Sequence, residues 1–201
     1  MRIFLIHGMG RTPASMGWLA VRLRLAGHQP SLFGYSVTLE SLDSIAIRFE
    51  KHVHQTVDQD APYVVIGHSL GNIITRLALP KLPAGFERFV MLAPPNSSPA
   101  MARELQDHPL YQVITRDTGQ KLCDDDFYED LPVPEMPTLI LAGTKGVDAL
   151  WHPLGHQKND AIVTVEETRL ADIRVVEVPG MHSFLMNRSD VFSQIQDFLE
   201  S

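Results

Sequence analysis

The chain has 201 residues, 44% hydrophobic and 20% charged, with a formal net charge of −7. That length and balance suit a single globular domain with a sizeable core, and argue against disorder or a coiled coil. The acidic balance argues against nucleic acid as a partner, because phosphate binding needs a basic face. Cys123 is the only cysteine, which excludes an internal disulfide and a multi-cysteine zinc site.

A strand-like run, Arg2–Ile6, opens the chain and ends at His7-Gly8-Met9-Gly10. It leaves no room for a signal peptide, so a cytoplasmic location is expected. No apolar run reaches the roughly 18 residues of a membrane span, so no integral membrane association is expected. Residues 15–26 carry Met16, Leu19, Ala20 and Leu23 at helical spacing, with Gly27 as the stop and Pro30 beyond it. Residues 31–37 form a weaker strand candidate. Leu42, Ile45, Phe49, Val53 and Val57 then mark one face of a long helix that Ser41 is placed to cap.

Residues 63–66 (YVVI) read as a short β-branched strand running into Gly67-His68-Ser69-Leu70-Gly71. Ile73, Ile74, Leu77 and Ala78 follow at helical spacing, up to Pro80. Further strands are expected at 89–92, 138–142 and 173–178, and a closing helix carries Val191, Phe192, Ile195, Phe198 and Leu199. Near-continuous apolar strands alternating with helices predict an α/β fold, with a parallel sheet covered on both faces. Residues 94–137 are irregular, proline-rich and acidic at Asp124, Asp125 and Asp126. They read as a small helical excursion, either a solvated connection or a cap over a substrate. Its apolar members Leu105, Leu110, Tyr111, Phe127 and Leu131 are candidates to line a groove.

The G-x-S-x-G sequence lies between a strand and a helix. A serine hydroxyl is a poor nucleophile at neutral pH and needs an adjacent base and a position clear of the backbone. A tight strand-to-helix turn provides that position, with Gly67 and Gly71 letting neighbouring backbone pass. A tetrahedral oxyanion formed on Ser69 would need two backbone N–H donors. Leu70 follows the serine at a helix start, and Met9 lies in the glycine-rich loop after the first strand. His7 and His68 read as packing and orienting residues. His28, His52, His54 and His108 read as surface or helix-end residues.

These motifs resemble the α/β-hydrolase family, and within it the minimal, lidless bacterial lipases and small serine esterases. The resemblance implies a three-layer fold with a mostly parallel six-stranded sheet, and catalytic residues in the order serine, acid, histidine. The family's histidine follows the last strand, and here Pro179-Gly180-Met181-His182 has that place. The acid belongs after strand 138–142, where Asp148 and Asp160 compete. Asp160 is favoured, because Asp160-Ala-Ile-Val matches the family's aliphatic-Val pair after the acid. That choice makes the loop 143–159 unusually long.

The expected activity is serine hydrolysis of a small neutral ester. Thioester cleavage, acyl transfer or an idle binding fold are the alternatives. No cofactor is expected. His152 and His156 stand four apart, but Pro153 and Gly155 intervene and no third ligand is evident, so no metal site is expected either. No phosphate-binding loop and no G-x-G-x-x-G sequence is present. The oligomeric state is left open.

Overall fold

A computed structural model of the chain describes residues 1–58 and 61–201. Six strands form one sheet: β1 (Arg2–Ile6), β2 (Gln29–Phe33), β3 (Tyr63–His68), β4 (Phe86–Leu92), β5 (Thr138–Gly143) and β6 (Val175–Val178). Their order is β2-β1-β3-β4-β5-β6, and every pairing is parallel. The helices are α1 (Gly17–Leu25), α2 (Leu42–Thr56), α3 (Leu70–Ala78), α4 (Ala100–Leu105), α5 (Pro109–Lys121), α6 (Asp125–Glu129) and α7 (Ser189–Glu200). No helix among the described residues is long and apolar enough to cross a membrane.

The strands are apolar on both faces because both faces are covered. Side chains alternate across a strand, so Phe4, Ile6, Val65 and Met91 face one core with α2 and α3, together with Ala102, Leu122 and Tyr128 from 94–137. Ile3, Leu5, Val64, Ile66 and Leu92 face the other core with α1 and α7. α2 buries Leu42, Ile45, Phe49 and Val53, the stripe read from the sequence, and Ser41 caps it by accepting from the Ser44 N–H.

Several boundaries differ from the sequence reading. The second strand is Gln29–Phe33 rather than 31–37, and it contains Pro30. It lies at the sheet edge, where a missing N–H breaks no ladder. The first helix begins as a 3-10 turn, Pro13–Met16, and becomes α-helical at Gly17. Gly27 ends it at φ +87°, a conformation that favours glycine. The last strand starts only at Val175, the first residue in register with β5. His52 is half-buried rather than a surface residue, with its ring against Phe4 and Phe33.

β1 leads outward to β2 on one side, and β3 leads outward to β4 on the other. The chain therefore reverses direction between β1 and β3, and a crevice opens beyond their carboxyl ends. The loop at Met9 and the turn at Ser69 face each other there.

Phe49 is fully buried, with ring centroids 5.2 Å from Phe33 and 6.2 Å from Phe4. Phe49→Ala is expected to cost about 3–5 kcal/mol. The check is a lower urea midpoint with unchanged slope.

Candidate active site

β3 ends at His68, and α3 starts at Leu70. The single residue between them, Ser69, has φ 51° and ψ −118°. Such a conformation costs on the order of 1–3 kcal/mol for a side chain with a Cβ, and persists only where the surroundings hold it. Here the Ser69 N–H donates to the Leu92 carbonyl at 2.9 Å, and the Ser69 carbonyl accepts from the Asn72 N–H at 3.0 Å. Asn72 Nδ2 also donates to the Ser69 and Leu92 carbonyls, at 3.0 and 3.2 Å. A Cβ on Gly67 would lie 2.4 Å from Asn72 Oδ1, and one on Gly71 would lie 2.6 Å from the Ile6 carbonyl oxygen. Both glycines are thus required by close approach. Asn72 went unread in the sequence, where it sits among the apolar residues of a helix.

Facing the turn is the loop after β1. A Cβ on Gly8 would lie 2.8 Å from His68 Nδ1 and 3.1 Å from Ser69 Cβ. The Gly8 carbonyl accepts from His7 Nδ1 at 2.9 Å and from the Arg11 N–H at 3.3 Å. His7 Nε2 accepts in turn from the Tyr35 N–H at 3.3 Å, which settles the tautomer. The Tyr35 ring stacks on His7 at 4.2 Å, and its hydroxyl donates to the His7 carbonyl. In a trans peptide the carbonyl of one residue and the N–H of the next point opposite ways. Holding the Gly8 carbonyl back therefore turns the Met9 N–H away from it, and that N–H has no partner among the described residues. The Leu70 N–H opens α3, where the first N–H groups lack helical partners. Gly10, at φ +67°, completes the loop. Tyr35 was missed because its role depends on a contact 28 residues away.

His182 begins the turn after β6. Its Nδ1 donates to Asp160 Oδ2 at 2.7 Å, and its backbone N–H donates to the Asp160 carbonyl at 2.9 Å. Asp160 Oδ1 accepts from the N–H groups of Ile162 and Val163 at 3.0 and 2.8 Å. Asp160 is only 1% exposed, so these donors replace its lost hydration. With the proton on Nδ1, His182 keeps a lone pair on Nε2. Asp148 lies elsewhere, exposed and paired with His156. His152 Nδ1 accepts from the Leu154 N–H. The long loop before Asp160 is folded on Asn159, whose amide bonds to the Val147 and Gln157 carbonyls.

His68 links the two halves. Its Nε2 donates to the His182 carbonyl at 3.0 Å, and the two rings lie 4.9 Å apart. Burial, reinforced by the charge His182 would carry, pushes the His68 pKa well below the ordinary 6.5 and keeps the ring neutral. No hydrogen bond joins Ser69 Oγ to His182 among the described residues. In ligand-free active sites such bonds are commonly long.

A cavity of about 160 Å³ opens at Ser69. Met9 and Leu70 flank the serine, Pro99, Met101, Ala102, Leu105, Tyr111 and Leu122 come from 94–137, and Ile162 and Val163 come from the loop that carries Asp160. Leu105 and Tyr111 thus line it as expected. Leu110 instead faces solvent, while Phe127 and Leu131 pack into the core. Asp125 and Asp126 are exposed, and Asp124 caps α6.

The sequence profile of the alpha/beta hydrolase family matches residues 3–199. The chain belongs to that family. No curated protein matches this hydrolase in sequence. Its fold is similar to a Bacillus licheniformis lipase in mature form, at 15% identity and TM-score 0.70, covering 98% of this chain and 91% of that one. It is also similar to an esterase from Exiguobacterium antarcticum, at 14% identity and TM-score 0.71, covering 100% and 92%. A third similar fold is the NocB thioesterase domain of the nocardicin cluster, at 18% identity and TM-score 0.61, covering 100% and 94%.

The neutral burial of His68 has a consequence for stability. Unfolding releases a ring that binds a proton below about pH 6.5, whereas the folded ring does not. His68 therefore makes stability fall as the pH drops below about 6.5, by at most about 1.4 kcal/mol per pH unit. Urea unfolding at pH 5.5 and 7.5 is expected to show this loss, and His68→Gln is expected to reduce it.

Proposed function

We propose that this hydrolase cleaves carboxylic esters through an acyl-enzyme on Ser69. The observation that carries the reading is the 2.7 Å bond between His182 Nδ1 and the buried Asp160 carboxylate, at the same end of the sheet as the strained Ser69 turn. Asp160 holds the tautomer that leaves His182 Nε2 basic, and stabilises the imidazolium that forms. Nε2 takes the Ser69 proton as Oγ attacks the acyl carbonyl. The tetrahedral oxyanion accepts from the Met9 and Leu70 N–H groups. As the intermediate collapses, His182 returns the proton to the leaving alcohol. Water then repeats the sequence in reverse roles, releasing the acid and restoring Ser69. Every proton moves between these side chains and the substrate, so the scheme uses no metal or cofactor.

The cavity supports a substrate class. Its lining residues are apolar apart from Ser69 and Tyr111. A cavity of about 150 Å³ holds benzene, so an acyl group of about six heavy atoms fits. Uncharged acyl chains of short to medium length are the expected substrates. The inner residues Ala102, Leu122 and Tyr128 anchor 94–137 in the core. That supports a fixed wall rather than a mobile lid.

Ser69→Ala and His182→Ala are each expected to lower kcat by about 10⁶-fold, and Asp160→Asn by about 10⁴-fold. Asp148→Asn should keep near-wild-type turnover. The measurement is hydrolysis of p-nitrophenyl butyrate, with fluorophosphonate labelling of Ser69. Absence of labelling in the wild-type protein would point to an idle fold.

Across a series of p-nitrophenyl esters, kcat/KM is expected to peak near four to six acyl carbons, about what the cavity holds. Followed through the solubility limit of one ester, the rate should show no jump. A sharp rise as droplets appear would make 94–137 an interfacial lid.

A further inference from the structure

Glu167 lies outside the residues that touch the cavity, yet it is bonded to both sides of it. Its Oε1 accepts from the Ala100 N–H at 2.7 Å, and its Oε2 accepts from the Thr164 N–H at 2.7 Å. Its own N–H donates to Thr164 Oγ1 at 3.1 Å, and its carbonyl accepts from the Asn96 N–H at 2.8 Å. Ala100 opens α4, a six-residue helix preceded by Pro99 and lacking any local side-chain cap. A helix that short has little stability of its own in water. The carboxylate that holds its first turn comes from 67 residues further along the chain.

The two amides joined by Glu167 are each next to a cavity residue. Met101 follows Ala100, and Val163 precedes Thr164; both line the cavity. α4 contributes Met101, Ala102 and Leu105 to one wall, and the acid-bearing loop contributes Ile162 and Val163 to another. The span of one carboxyl group therefore fixes the gap between these walls. Hydrogen bonds from N–H groups to an ionised carboxylate are about twice as strong as neutral ones.

We propose that Glu167 is a positioning residue that sets the width of the acyl cavity, and with it the acyl chain length the enzyme accepts. The proposal rests on the ester-hydrolase reading of the same site. Glu167 clips the α4 wall to the Val163 wall. Without the clip, α4 moves outward and longer chains enter. A methylene in an apolar pocket commonly changes specificity by about 10-fold or more, so the effect is readable as a ratio of rates.

The test compares kcat/KM for p-nitrophenyl octanoate and butyrate in wild type, Glu167→Ala and Glu167→Gln. The octanoate-to-butyrate ratio is expected to rise about 10-fold in Glu167→Ala. Glu167→Gln should rise less, since it keeps one carbonyl acceptor and turns an NH₂ toward the other amide. It also gives the readout if the alanine variant fails to fold. Glu166→Gln is the control, because Glu166 pairs with Arg169 in solvent and should leave the ratio unchanged. A ratio within twofold of wild type in the Glu167 variants overturns the proposal. So does an equal loss on both esters, which would make Glu167 only a support for the Asp160 loop. So does an equal shift in the control. Failure of the wild-type protein to hydrolyse either ester is a different result, and it would overturn the ester-hydrolase reading itself.

Discussion

The site depends on how closely three backbone segments approach one another. The β3–α3 turn presses against the end of β1 so tightly that a methyl group on Gly71 would strike the Ile6 carbonyl. The same crowding excludes a side chain from Gly67, where Asn72 fills the space, and from Gly8, where His68 does. Packed interiors transmit such constraints because they contain little free volume. Ser69 keeps its unfavourable backbone angles because the Leu92 carbonyl and Asn72 hold both of its peptide groups. The strain at one residue is therefore offset by hydrogen bonds from β4 and α3.

Charge at the site is managed by a similar economy of groups. Asp160 is almost fully buried, which would be costly for an unpaired carboxylate. It has three donors: the His182 ring and two backbone N–H groups of its own loop. The loop's internal turn, built on Asn159, supplies those N–H groups in the right direction. Elsewhere, buried Arg76 on α3 has no carboxylate partner among the described residues. It donates instead to the Leu131 and Pro132 carbonyls and to Asn96, and burial lowers its pKa to about 10. This ties the end of 94–137 to the helix that follows Ser69, and Asn96 extends the tie to the Thr168 carbonyl.

Residues 94–137 pack onto the α2 side of the sheet through Ala102, Leu122, Tyr128 and Leu131. α5 bends at Arg116, whose φ is 51°, and its two parts reach different neighbours. Thr38 donates to the Ile114 carbonyl, and Asp117 accepts from the Leu42 N–H at the start of α2. Those contacts hold one wall of the cavity against the α2 side of the sheet, while Glu167 holds the other end.

The sequence by itself determined the architecture. Apolar strands with helices between them leave few arrangements other than a covered parallel sheet, and β1, β3, β4 and β5 were legible from their apolar runs, whereas β2, with only Phe33 buried, was read too late in the chain. The strand–G-x-S-x-G–helix pattern placed Ser69 in a tight turn; the demand for glycine is local at Gly67, against Asn72, but tertiary at Gly71, against the Ile6 carbonyl. The family resemblance, with order along the chain, pointed to His182, which the fold bonds to Asp160. What only tertiary structure decided lies in contacts between distant segments. Asp160 and Asp148 are both aspartates of one long loop, and only folding buries the first against His182 and leaves the second in solvent with His156. The edge position of β2 is likewise a property of the sheet, and it is what makes Pro30 acceptable there. Tyr35, Asn72 and Glu167 carry no local signature. Their roles come from hydrogen bonds to groups that periodicity and spacing do not bring together.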